Sequence, residues 1–129
     1  MKFLKLLLLS FSFSRAAEFL VEIDGQADVN NFRAAVLQRY QLSVVGFSFC
    51  PLARRSIERL REVDATFAIF YLDTQADHWR RWWYIIRVLS GNTRPINIFI
   101  NQEATFTDEL ATDAITDEEL RQAIQADLK

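Results

Sequence analysis

Apolar residues follow two repeating patterns along this chain, and each pattern predicts a different kind of element. Residues 42–47 and 65–72 are apolar almost throughout, which is typical of short strands that are covered on both faces of a sheet. The segment between them, residues 52–63, has apolar residues at helical spacing and is predicted to be a helix; these residues are Ile57, Leu60 and Val63. This stretch therefore predicts a strand, a helix and a second strand.

The second half of the chain continues the alternation of helices and strands. A third helical pattern is predicted to end at Gly91, because glycine commonly terminates helices. Residues 96–100 predict a strand, and residues 105–107 predict a further edge strand. The sequence Thr-Asp-Glu-Glu at residues 116–119 forms a capping box and opens a last helix.

The order of these elements predicts an α/β fold. A helix also precedes the first strand, since apolar residues recur at helical spacing there, at Val29, Phe32, Val36 and Leu37. Two strands that are linked through a helix form a parallel pair with a right-handed crossover. The two successive strands near the C-terminus form an antiparallel pair. We therefore expect a mixed four-stranded sheet with helices on both faces.

Composition excludes several kinds of site. A chain of 129 residues fits one domain, and we expect a monomer. The formal net charge of −2 does not indicate a nucleic-acid-binding surface. One cysteine allows no internal disulfide and no multi-cysteine zinc site, and one histidine, His78, makes a histidine-based metal site unfavourable. We expect no metal and interpret His78 as a surface residue of a helix.

Residues 1–17 have the pattern of a secretory signal peptide. A short basic start precedes an apolar stretch and small residues up to Ala17, where cleavage is expected. The apolar stretch is too short for a stable membrane span. Cleavage would leave a domain of residues 18–129 and lower the formal net charge from −2 to −5. The chain would then belong to the secretory pathway or the extracellular space. The alternative is an uncleaved N-terminal anchor or a mis-chosen start codon, and without a signal peptide we expect a cytoplasmic protein.

Cys50 is the single cysteine, and it stands between a predicted strand and a predicted helix. A thiol at that position faces the unpaired N–H groups and the positive dipole end of the helix. Such surroundings favour the thiolate, which is the nucleophilic form of cysteine. The alternative is that Cys50 is an inert small hydrophobic residue of the core.

Several stretches, in their order and spacing, resemble the glutaredoxin family of the thioredoxin fold over roughly residues 28–128. They are Val-Val-Gly-Phe-Ser-Phe-Cys-Pro at 44–51, Phe-Tyr-Leu-Asp at 70–73, Leu-Ser-Gly-Asn-Thr-Arg-Pro at 89–95 and Ile-Phe-Ile-Asn at 98–101. The resemblance implies a three-layer α/β/α fold. It also implies that Cys50 is a nucleophile that attacks mixed disulfides of glutathione or of proteins, with glutathione as co-substrate.

The resemblance further implies a set of residues that bind glutathione or another substrate around Cys50. Pro95 matches a cis-proline that turns the N–H and C=O groups of Arg94 toward a bound cysteinyl peptide. Asp108 matches an acidic residue that meets the amino group of glutathione. Arg54 and Arg55 would partly replace a lysine that many members carry where this chain has Phe47. The complete predicted set is Phe49, Pro51, Arg54, Thr93, Arg94, Pro95 and Asp108.

The chain also departs from the family. Ala53 stands where two-cysteine members have a resolving thiol, so the motif Cys-Pro-Leu-Ala is monothiol and turnover needs an external thiol. The motif differs from the Cys-Gly-Phe-Ser of iron–sulfur-carrying members, and the family's glycine pair has no counterpart in residues 104–108. Two functions remain: a glutathione-dependent thiol–disulfide oxidoreductase, or a non-catalytic thioredoxin-fold module that binds proteins.

The segment around residues 78–87 is rich in tryptophan and arginine. Helical spacing places four of its apolar residues and those that follow on the core side, namely Trp79, Trp82, Ile86 and Leu89. Trp83 lies off that stripe. The alternative to a wholly structural helix is that Trp83 is exposed and anchors a partner or a membrane interface.

Overall fold

The computed structural model describes residues 5–11, 16–22, 26–72 and 79–127, and these form one mixed sheet with helices packed on it. The strands are β1 (Lys5–Phe11), β2 (Ala16–Glu22), β3 (Leu42–Phe47), β4 (Phe67–Leu72), β5 (Ile96–Ile100) and β6 (Glu103–Phe106). The helices are α1 (Gln26–Phe32), which continues into a π-helical segment (Arg33–Leu37), then α2 (Pro51–Glu62), α3 (Trp79–Ser90) and α4 (Asp117–Asp127).

The sheet has the order β1-β2-β4-β3-β5-β6. β4 pairs in parallel with both β2 and β3, whereas β5 pairs antiparallel with β3 and β6, and β1 pairs antiparallel with β2. The predicted mixed sheet with a parallel pair and a C-terminal antiparallel pair is therefore confirmed. The described residues form six strands instead of the four we expected. The two additional strands, β1 and β2, lie in the N-terminal part of the chain.

The two central strands are covered on both faces, as their continuous apolar sequences predicted. Every residue of β3 and of β5 is buried. On one face, the α1 residue Phe32 meets Phe70 edge-to-face at a ring separation of 5.5 Å. On the other face, Ala53 and Leu60 of α2 are buried, with 2% and 0% of their surfaces exposed. The helices on the two faces leave only the ends and edges of the sheet open for a site.

The ends of several elements follow from local backbone chemistry. Gly91 has a φ of 77°, a left-handed conformation that ends α3 as predicted. The capping box at α4 is also confirmed, since the Glu119 N–H donates to Thr116 Oγ1 at 3.1 Å and the Thr116 N–H donates to Glu119 Oε1 at 3.2 Å. The β5–β6 hairpin turns through Asn101 and Gln102, whose φ angles of 50° and 74° are those of a two-residue turn that matches strand twist.

Arg59 is the one charged side chain of α2 that departs from the helical pattern. The sequence groups it with the charged residues that lie away from the apolar stripe, yet the structure leaves only 3% of it exposed. Its guanidinium donates to the carbonyl oxygens of Leu110 (3.0 Å) and Ile115 (2.9 Å), and to the carboxylates of Asp113 (3.2 Å) and Asp117 (2.8 Å). Arg59 therefore fastens the segment between β6 and α4 onto α2.

Candidate functional site

Cys50 is the N-cap residue of the 12-residue helix α2. Its N–H donates to the Phe47 carbonyl at 3.1 Å, and its own carbonyl accepts from the Arg54 N–H at 3.2 Å. The thiol itself makes no capping hydrogen bond. Pro51 occupies the first helical position, where its missing N–H costs nothing. Local chemistry thus places the thiol at the start of a helix and at the carboxyl edge of β3, with 8% of the residue exposed.

Gly46 allows the segment before β5 to approach this edge closely. A Cβ atom on Gly46 would lie 3.1 Å from Ile96 Cδ1 and 3.2 Å from the Pro95 carbonyl oxygen. Gly46 also pairs with Ile96 across the antiparallel ladder of β3 and β5. The structure therefore brings Cys50 and Pro95 to the same end of the sheet, as the sequence predicted.

The prediction of a cis bond before Pro95 is wrong, because no peptide bond within the described residues is cis. Both backbone groups of Arg94 are held from within the chain. Its N–H donates to Asn92 Oδ1 at 2.9 Å, and its carbonyl accepts from Asn97 Nδ2 at 3.3 Å. Asn92 Nδ2 donates in turn to Asn97 Oδ1 at 2.8 Å. We call these three hydrogen bonds the asparagine bridge; they fix the loop with a trans bond and occupy the groups that were expected to meet a peptide.

Arg94 and Asp108 lie together, as two members of the predicted binding set. Arg94 Nη1 is 3.7 Å from Asp108 Oδ2. The hydroxyl of Thr107 donates to Asp108 Oδ1 at 2.9 Å, and this bond is the largest cause that lowers the pKa of Asp108 below its usual value. Asp108 is thus an ionised carboxylate whose charge is opposed by Arg94. Thr93 is exposed in the same loop.

The two arginines at the start of α2 have different surroundings. Arg55 contacts three carboxylates, at Glu58 (3.3 Å), Glu62 (3.5 Å) and Asp113 (3.3 Å), so its charge is used on the far side of the helix. Arg54 is exposed, and its charge lowers the pKa of Tyr71, against the larger effects of burial and of Glu18, which raise it. Of the two, only Arg54 remains as a positive charge that a ligand can meet.

Three aromatic side chains form a row beside Cys50. Phe49 is 63% exposed and stacks on Phe47 at a ring separation of 5.4 Å. Phe47 is buried and meets Trp83 at 5.8 Å. We call Phe49, Phe47 and Trp83 the aromatic row. Because Trp83 is partly buried against Phe47, the alternative of a freely exposed Trp83 anchor is not supported.

The remaining expectations for α3 are partly testable. Ile86 and Leu89 are buried, as predicted. His78 and the side chains of Trp79 and Trp82 lie outside the part of the chain that the structure describes.

Asn92 and Asn97 are the residues of this site that sequence reasoning missed. Asn97 is 2% exposed and sits in the middle of the apolar strand Ile-Asn-Ile-Phe-Ile. A polar side chain at a buried strand position must find hydrogen-bond partners, and that isolated asparagine was the available signal. Asn92 gave no such signal, since asparagine is common in loops.

A second concave feature lies at the opposite end of the sheet. This cleft of about 700 Å³ is lined by residues that precede β3 and β4 and by the C-terminal part of α4. It is remote from Cys50 and contributes nothing to the site described above.

Two further properties hold for residues 5–11, 16–22, 26–72 and 79–127. None of their helices is both long and apolar enough to cross a membrane. Their histidine, cysteine, aspartate and glutamate side chains form no group of three or more that would hold a metal ion.

No protein-family model and no curated protein matches this chain. Solved structures do match. Oxidized glutaredoxin 2 from Chlamydomonas reinhardtii has a TM-score of 0.64 at 17% identity, over 80% of this chain and 96% of that chain. The holo form of glutaredoxin C1 from Populus tremula x tremuloides has a TM-score of 0.63 at 17% identity, over 78% and 98%. A yeast dithiol glutaredoxin has a TM-score of 0.60 at 12% identity, over 78% and 95%. The chain has the thioredoxin-like fold in the form seen in glutaredoxins.

Proposed function

We propose that this chain, with its glutaredoxin form of the thioredoxin fold, is a monothiol thiol–disulfide oxidoreductase that acts through Cys50 and uses glutathione as the external thiol. The observation that supports this most is the position of Cys50 at the start of α2, directly beyond β3. The loop that carries Pro95 lies against the same end of β3, because Gly46 leaves room for it.

The start of α2 provides what a thiolate needs. The first N–H groups of a helix have no partner within the helix. Pro51 has no N–H, and the Arg54 N–H is used by the Cys50 carbonyl, so the N–H groups of Leu52 and Ala53 are the ones that face the thiol. Their partial charge and the helix dipole stabilise an anion by about 0.3–1 kcal/mol.

The reaction proceeds by two exchanges. The Cys50 thiolate attacks the glutathione sulfur of a mixed disulfide, the old S–S bond breaks, and the substrate leaves as a thiolate that takes a proton from water. Glutathione, as its thiolate, then attacks the glutathione sulfur bound to Cys50, which releases glutathione disulfide and restores the Cys50 thiolate. Two glutathione molecules thereby supply the two electrons. Ala53 occupies the position of a resolving cysteine and is 2% exposed, so the second thiol must come from outside the chain.

A second candidate is the non-catalytic binding module. The asparagine bridge favours it, because both backbone groups of Arg94 are occupied. The small exposed fraction of Cys50, 8%, favours it too.

The two candidates are separated by following Cys50 directly. The wild-type protein and Cys50→Ser are incubated with a glutathionylated peptide, and their intact masses are measured before and after addition of excess glutathione. We expect one glutathione on the wild type, none on Cys50→Ser, and removal by excess glutathione together with release of glutathione disulfide. Equal peptide reduction by both proteins contradicts the enzyme. Retention of all protein partners by Cys50→Ser, in the absence of exchange, supports the module.

For location, we propose that residues 1–17 act as a signal peptide and direct the chain to the secretory pathway. In this structure the same segment contains β1, and Ala16 and Ala17 of β2 are buried with 0% and 4% exposed. Cleavage after Ala17 would therefore remove an edge strand and two buried residues of its neighbour. The intact mass of the protein isolated from its own cell tests this, and a full-length mass contradicts the signal peptide.

A further inference from the structure

The surface next to Cys50 is apolar where the resemblance implies a positive charge. Phe47 stands at the position of the family's lysine, and it is 3% exposed. Phe49 covers one side of Phe47 in a stacked arrangement, with a ring separation of 5.4 Å and an angle of 25° between the rings. The other features of Phe49 follow from its place in the chain, because 63% of its surface remains open beside the thiol-bearing residue. An apolar side chain this exposed is an energetic cost unless something covers it.

The polar groups that would recognise glutathione are instead satisfied within the chain. The asparagine bridge uses the N–H and C=O groups of Arg94. Asp108, the predicted partner for an ammonium group, is paired with Arg94 at 3.7 Å. The site therefore offers little to the charged ends of glutathione and offers an aromatic face to a neutral group.

We propose that the preferred disulfides of this site are those of a cysteine whose neighbouring residue is apolar, best aromatic, and that this residue lies on Phe49. This inference rests on the proposed function of Cys50 as a nucleophile. Phe49 and Cys50 are consecutive, so their Cα atoms are about 3.8 Å apart. When a substrate sulfur meets the Cys50 sulfur, the residue beside the substrate cysteine comes within the roughly 4.5–7 Å over which aromatic rings interact.

The test compares two capped peptides that differ in one residue. Each carries a single cysteine, with phenylalanine beside it in one peptide and serine in the other, and each is joined through a disulfide to the same coloured leaving thiol, 5-thio-2-nitrobenzoate. The Cys50 thiolate attacks the peptide sulfur and forms a Cys50–peptide disulfide. The S–S bond to the leaving group breaks, and the leaving group departs with the electron pair as a coloured thiolate. No net oxidation or reduction occurs, and the colour gives the rate of a single turnover.

For the wild type we expect the phenylalanine peptide to react about tenfold faster than the serine peptide, which corresponds to about 1.4 kcal/mol. The same mixed disulfide of glutathione should react at about the rate of the serine peptide. In Phe49→Ser the ratio between the peptides should fall to about one, and in Phe49→Leu it should fall only in part. Val88→Ser is the matched control, because Val88 is an exposed apolar residue on α3, 38% exposed, outside the site; its ratio should equal that of the wild type.

The outcomes separate this inference from the function on which it rests. Equal wild-type rates for both peptides, with release that Cys50→Ser abolishes, overturn the preference and leave the enzyme standing. A tenfold ratio that persists in Phe49→Ser also overturns the role of Phe49. Release that is no faster with the wild type than with Cys50→Ser overturns the proposed function, and this inference falls with it.

Discussion

Replacing Arg59 with methionine should cost this protein a large part of its folding stability. The side chain is 3% exposed, and methionine keeps its aliphatic volume while removing every donor. The Leu110 carbonyl is buried with its bond to Arg59 and loses it outright; an unsatisfied buried polar group costs about 1–3 kcal/mol. The Ile115 carbonyl is partly buried, so its loss adds a smaller amount.

The two carboxylates around Arg59 contribute less than their short distances suggest. The side chains of Asp113 and Asp117 are 62% and 47% exposed, so water replaces much of what they lose, and exposed ion pairs contribute about 0–1 kcal/mol each. Together with the two carbonyls, the expected loss for Arg59→Met is about 3 kcal/mol. That is a substantial fraction of the roughly 5–15 kcal/mol that stabilises an ordinary domain.

The assay is equilibrium unfolding in urea, followed by tryptophan fluorescence, for the wild type, Arg59→Met and Arg61→Met. Arg61 is the matched control, because it lies on the same helix, is 40% exposed and forms an ion pair with Glu18 at 3.4 Å. We expect Arg61→Met to cost less than about 1 kcal/mol, with unchanged m-values in both variants. A loss below about 1 kcal/mol for Arg59→Met would refute the argument that this one side chain holds the β6–α4 segment on α2.

Three further changes test other parts of the structure. Ser43 is fully buried in β3 and its hydroxyl has no partner among the described residues, so Ser43→Ala should raise the unfolding free energy by about 1 kcal/mol in urea; a loss would mean that the hydroxyl has a partner. The pKa of Tyr71 is raised above 10.0, chiefly by burial, so the folded state keeps its proton where the unfolded state has lost it. The wild type should therefore lose stability relative to Tyr71→Phe as pH rises above about 10, and a constant difference would contradict this. Asn92→Ala removes the acceptor of the Arg94 N–H and should speed exchange with peptide disulfides at a stability cost of about 1 kcal/mol; an unchanged rate would show that the bridge does not restrict the site.

Most of the fold could be predicted because the apolar pattern of the central elements has one physical solution. β3 and β5 have the predicted bounds, 42–47 and 96–100, since a continuous apolar strand is stable only between two covering layers. The capping box and Gly91 marked helix ends through purely local chemistry. The N-terminal part was harder, because the leucine-rich segment that forms β1 has the hydropathy of a signal peptide and of a strand alike.

The candidate site was less predictable, because its decisive contacts join residues that are distant in their local patterns. The position of Cys50 followed from the strand and helix on either side of it. The burial of Arg59 required knowledge of where the segment before α4 lies, since its partners are 51 to 58 residues away. The closed state of the Arg94 backbone required two asparagines, of which only Asn97 stood out in the sequence.

The aromatic row and the asparagine bridge act on the same choice of substrate from two sides. A thioredoxin-like framework supplies a thiol at a helix start, but it does not by itself decide which disulfide reaches that thiol. The bridge withdraws the backbone groups of Arg94, which would bind any cysteinyl peptide regardless of its side chains. Recognition must then depend on side chains, and the exposed face of Phe49 is the one apolar surface that adjoins Cys50 directly in the chain. Opening the bridge with Asn92→Ala should therefore weaken the preference for phenylalanine-flanked peptides as it raises the rate, because backbone binding would again contribute equally to every substrate.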